Sequence, residues 1–109
     1  MTIEMDRTSH ISQQQGVAHA GAIAAIMDSA AGYSALTLTP AGTEVVSVEF
    51  KVNMLEPALG DRIVARARVV RPGRRVTVCS VEAFAVADGA ELLVATMLAT
   101  MAPVPARDD

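Results

Sequence analysis

HAGAIAAIMDSAAGY, residues 19–33, is a run of small and apolar residues broken by a single acid. Ile23, Ile26, Met27, Ala30 and Tyr33 recur at helical spacing, and the alanine filling favours helix, so a helix is expected from about Gly21 to Leu36. Thr39-Pro40-Ala41-Gly42 ends it. Asp28 is the only charged residue between Arg7 and Glu44. Its helical neighbours Ala24, Ala25, Ala31 and Gly32, with Gly21 and Ala35 beyond, are all small. The bulky stripe should meet a sheet, and the smooth stripe carrying Asp28 should let another backbone or a ligand come close.

Beyond the helix the hydrophobic period changes to two. In Glu44–Met54, Val46, Val48, Phe50, Val52 and Met54 fall on one face, with Ser47, Glu49, Lys51 and Asn53 on the other. Residues 62–71 put Ile63, Ala65, Ala67 and Val69 inward and Arg62, Arg66 and Arg68 outward. A Pro72-Gly73 turn leads into a third strand through Ala87, Asp88-Gly89 makes the next turn, and a fourth strand is expected to stop at Pro103. Residues 1–109 therefore read as one α+β domain, with 1–18 an irregular lead-in that has room for one short strand and 103–109 a tail.

Composition narrows the function. The net charge is −3 and the aromatics are only Tyr33, Phe50 and Phe84, which argues against a nucleic-acid partner. One cysteine and two histidines provide neither a disulfide nor a zinc framework, and Cys79 reads as a buried small hydrophobe. The first residues lack the basic start and apolar run of a signal peptide, and the longest apolar stretch is too short to span a bilayer. A cytoplasmic setting without membrane association is the expectation.

A helix apolar nearly all round needs cover on more than one side, and a four-stranded sheet supplies one, so a second copy of the chain is the expected cover. Withdrawing an unpaired carboxylate from water costs several kcal/mol, which points to Asp28 being hydrogen-bonded or chemically active. The alternative is a carboxylate that faces a water-filled groove, or caps the backbone of a helix that breaks near Gly32-Tyr33. At the helix start, His19, Ala20 and Gly21 lie where backbone N–H groups and the positive helix end favour an oxyanion. Ala20 and Asp28 are separated by eight residues, about 12 Å along a helix axis. One carbonyl carbon cannot touch both, so joint action requires groups from two chains across a twofold axis.

The pattern Gln13-x-x-Gly16-x-x-His19-Ala20-Gly21, followed by Asp28 in DSAAGY, resembles the hotdog-fold acyl-CoA thioesterases of the phenylacetate-pathway and 4-hydroxybenzoyl-CoA type. Residues 45–78 also look like that family's strand, turn and hairpin, and the likeness extends from about residue 10 to 102. The resemblance implies a long helix wrapped by a curved antiparallel sheet, in a homodimer that pairs again into a homotetramer. It implies Asp28 as general base or direct nucleophile, His19 and Ala20 holding the thioester carbonyl, and Ser47 assisting from the strand face away from the core. Gln13 stands where the family carries an asparagine, with Gln14 able to substitute, and Ala20 replaces the usual glycine. An ordinary helical φ is expected at Ala20, because alanine at positive φ costs about 1–2 kcal/mol.

Arg71, Arg74 and Arg75 bracket the Pro72-Gly73 turn, where guanidinium groups can grip the phosphates of coenzyme A. The function expected is hydrolysis of acyl-CoA to free acid and coenzyme A. No metal or cofactor is implied beyond the coenzyme A of the substrate. A non-catalytic acyl-CoA binder is the alternative, and a hotdog dehydratase or a structural oligomer are further ones.

Overall fold

The computed structural model describes residues 1–6 and 20–106. Five strands, β1 (Thr2–Asp6), β2 (Thr43–Met54), β3 (Arg62–Arg71), β4 (Thr77–Ala87) and β5 (Ala90–Pro105), form one antiparallel sheet in the order β1-β3-β4-β5-β2. A single helix, α1 (Ala20–Leu36), crosses its inner face and touches all five strands. This is the hotdog architecture expected, with β1 as a strand within the lead-in.

The helix packs closely because both surfaces are lined by small side chains. Ile23, Met27, Ala30, Ala31 and Ala35 lie against the alternate inward residues Ile63, Ala65, Val81, Ala83, Ala95 and Ala99, all essentially without exposure. Tyr33, expected on the bulky stripe, is 55% exposed, whereas Ala31 and Ala35, expected on the smooth one, are buried. At a site this crowded the sheet accepts the methyl groups and leaves the ring outside. Cys79 sits in the same layer with its thiol directed at the Ala31 carbonyl, 3.5 Å away, and burial raises its pKa, in keeping with a small core hydrophobe.

The helix ends where Thr37 and Thr39 turn their hydroxyls back onto the Ser34 and Leu36 carbonyls, ahead of Pro40. Asp88 and Gly89, both at positive φ, form the two-residue turn that joins β4 to β5 through the Ala87–Ala90 pair. β5 continues through Pro103 to Pro105 instead of stopping at Pro103. Beyond Met101 it has passed the start of β4 and, among the described residues, pairs with β2 alone, so the missing proline N–H groups can face the side without a strand partner there.

On the outer face Arg66 grips Glu91 through both guanidinium nitrogens, Nη1 to Oε1 at 2.8 Å, and lies 5.0 Å from the Phe84 ring centre. The hydrogen bond from Arg66 holds the Glu91 carboxyl below its usual range. A depressed carboxylate contributes stability above its unfolded pKa and loses it as pH falls through the folded value. Urea midpoints of the wild type and Glu91→Gln should therefore differ most at neutral pH and low salt. They should converge as the pH drops below the ordinary glutamate range.

Candidate active site

Asp28 lies in the middle of α1, half-buried at the margin of the packed face, where β2 passes at the sheet edge. The Ser47 hydroxyl donates to Asp28 Oδ1 at 2.7 Å. Simple alternation puts Ser47 outside with Glu49, Lys51 and Asn53. The β2–β5 register instead jumps from Ser47–Met101 to Glu49–Thr100, leaving Val48 as an inserted residue. This β-bulge reverses the alternation, so Ser47 lies opposite buried Met101 and turns toward the helix, while Val46 and Val48 are exposed. The expectation that Ser47 faces away from the core is thereby corrected. A chain of apolar residues on either side of the serine masks the bulge, and no glycine marks it.

A cleft of about 380 Å³ opens beside this pair. Gly32, Tyr33 and Leu36 wall it on the helix side, and Thr43, Val45 and Ser47 on the strand side. Its volume falls at the small end of small-molecule sites. The i, i+4, i+8 relation of Asp28, Gly32 and Leu36 was available in the sequence, but the strand side depended on the fold.

The other expected site residues are dispersed. Ala20 opens α1, and Gly21 follows it, two turns of helix from Asp28. The start of the helix and the carboxylate of one chain are thus kept apart. Gln13, Gln14 and His19 lie outside the described residues. Arg71, Arg74 and Arg75 surround a shallow cleft of about 280 Å³ at the β3–β4 hairpin. Arg74 also borders a cleft of about 650 Å³ that reaches Thr43, the same threonine that lines the Asp28 cleft. Among the described residues no group of His, Cys, Asp and Glu side chains could hold a metal ion, and no helix is long and apolar enough to cross a membrane.

A helix laid across a curled antiparallel sheet, with a hydrogen-bonded carboxylate opening onto a cleft, defines a hotdog protein with a candidate acid–base centre. The chain belongs to the Thioesterase superfamily, whose family profile matches residues 15–91. A thioesterase family protein from Silicibacter pomeroyi has the same fold with a TM-score of 0.93 and 43% identity, over 95% of this chain and 76% of that one. A Bacillus halodurans protein solved with CoA superposes with a TM-score of 0.87 at 19% identity, over 94% of this chain and 66% of that one. A Saccharolobus solfataricus protein, provisionally named an esterase, is 33% identical over 87 residues. That match takes in 80% of this chain and 61% of the relative's length.

Replacing Ser47 with alanine should lower kcat for thioester hydrolysis about tenfold, the scale of one hydrogen bond to a charged group. Urea unfolding should change by less than about 1 kcal/mol, because the bond is exposed. Ser47→Thr, which keeps a hydroxyl, should recover much of the rate.

Proposed function

We propose that the chain hydrolyses acyl-CoA thioesters to the free acid and coenzyme A. The observation that carries this reading is the Asp28–Ser47 pair at the mouth of a cleft. Ser47 orients one carboxylate oxygen, and the other is placed to meet a water molecule or the substrate carbonyl. As general base, Asp28 takes a proton from water while the hydroxide attacks the thioester carbon. As nucleophile, Asp28 attacks directly and water opens the resulting anhydride. In both routes the carbonyl electrons move to oxygen, and collapse of the oxyanion expels coenzyme A as a thiolate, which then picks up a proton. Membership of the Thioesterase superfamily and the CoA held by the Bacillus halodurans protein support this substrate class.

The working unit is at least a homodimer, pairing again into a homotetramer as in the resembled family. Ala20, Gly21, Ala25, Ser29 and Tyr33 leave one face of α1 exposed, and β2 offers an edge unpaired among the described residues, with exposed Val48 and Phe50. An antiparallel second helix over that face brings Ala20, at the start of α1 in one subunit, to Asp28 of the other. The Arg71, Arg74 and Arg75 hairpin takes the phosphates of coenzyme A.

Thiol release across short, aromatic and long acyl-CoAs tests this reading. Wild type should turn over part of the panel, and Asp28→Asn should lose at least about 100-fold, the scale of a positioned base. Wild type that binds acyl-CoA without releasing thiol would overturn the enzyme in favour of an acyl-CoA sensor. Arg74→Ala with Arg75→Ala should raise KM about tenfold with kcat nearly unchanged, most clearly at low salt. An unchanged KM under those conditions rejects the phosphate assignment.

A further inference from the structure

We propose that Gly32 sets the size of the acyl group this enzyme accepts, and that the cleft beside Asp28 holds uncharged acyl groups of short to medium length or a single ring. The inference rests on the thioesterase reading. Glycine is the least favourable residue after proline in a helix interior, and Gly32 sits in the fourth turn of α1. Among the described residues no close backbone approach and no positive φ requires it there. A Cβ built at Gly32 meets no atom within 4 Å, so the fold would accommodate alanine without a clash. The space a side chain would fill belongs to the cleft that contains Asp28 and Ser47.

Distance along the helix then assigns a role. Gly32 lies one turn past Asp28, about 6 Å along the axis. An acetyl group whose carbonyl is at Asp28 ends short of Gly32, whereas a longer chain runs over it. Tyr33, Leu36 and Val45 give the far end apolar walls, which suit a hydrocarbon better than the amide-bearing arm of coenzyme A. The charged residues on the lining are Asp28 and Glu44, both acids, with no cation among the described residues to receive a second carboxylate. The volume of about 380 Å³ falls at the small end of small-molecule sites, which suits a short or single-ring acyl group better than a long chain.

The test compares kcat/KM for acetyl-, hexanoyl-, decanoyl-, phenylacetyl- and glutaryl-CoA in wild type, Gly32→Ala and Gly32→Val, with the oligomeric state of each measured by light scattering. Wild type should favour hexanoyl- or phenylacetyl-CoA over glutaryl-CoA. The hexanoyl-to-acetyl ratio should fall at least tenfold in Gly32→Val and by a smaller factor in Gly32→Ala, which keeps the test open if valine disturbs the helix. An unchanged ratio in both variants overturns the proposal. So does a uniform rise in KM across the panel, which would place the coenzyme A arm over Gly32. Loss of assembly in Gly32→Ala overturns it as well, since the missing side chain would then serve a second copy. A wild type that hydrolyses only acetyl-CoA, or prefers glutaryl-CoA, contradicts the assigned class. Absence of turnover on every acyl-CoA shows instead that the thioesterase reading has failed, and the assignment of Gly32 falls with it.

Discussion

The rotation of α1 about its own axis is the constraint on which the site depends. Successive residues of a helix point about 100° apart, so a shift of one residue in the buried face would carry Asp28 into the core or out into water. The rotation is fixed by packing between small side chains. Ala30, Ala31 and Ala35 lie against Ala65, Ala83, Ala95 and Ala99, while Ile23 and Met27 fill the remaining volume. With that face committed to the sheet, Asp28 falls at its margin, partly desolvated and still reachable.

The second constraint is the β-bulge at Val48. A sheet edge is where an inserted residue disturbs the fewest hydrogen bonds, and β2 is an edge strand. The insertion turns Ser47 inward onto the Asp28 carboxylate and turns Val46 outward. One residue thus converts a strand that alternates regularly in sequence into a strand that aims a hydroxyl at the helix. Without it, the carboxylate would have lost the one side-chain hydrogen bond it makes to another element among the described residues.

A single chain leaves the proposed two-part site half-built. The positive end of α1 and Asp28 belong to the same rigid rod, and a rod cannot fold back on itself to place both at one carbonyl. The face of α1 turned from the sheet carries Gly21, Ala25, Ser29 and Tyr33, and the neighbouring strand edge carries Val48 and Phe50. Exposed apolar residues along an unpaired strand edge are the kind of surface that another copy covers. The proposed dimer is therefore a consequence of the same helix geometry that positions the acid.

The sequence by itself determined the helix from about residue 21 to 36, the long strands and their turns, the burial of Cys79, and Asp28 as the residue to explain. These are legible because periodicity, turn chemistry and an isolated charge are local properties of the chain. The inward turn of Ser47, the outward position of Tyr33, the continuation of β5 through Pro103 and the cleft at Gly32 were decided only by the tertiary structure. Each depends on which strand lies beside which and on where a register slips by one residue. Alternation along one strand does not encode the partner that interrupts it.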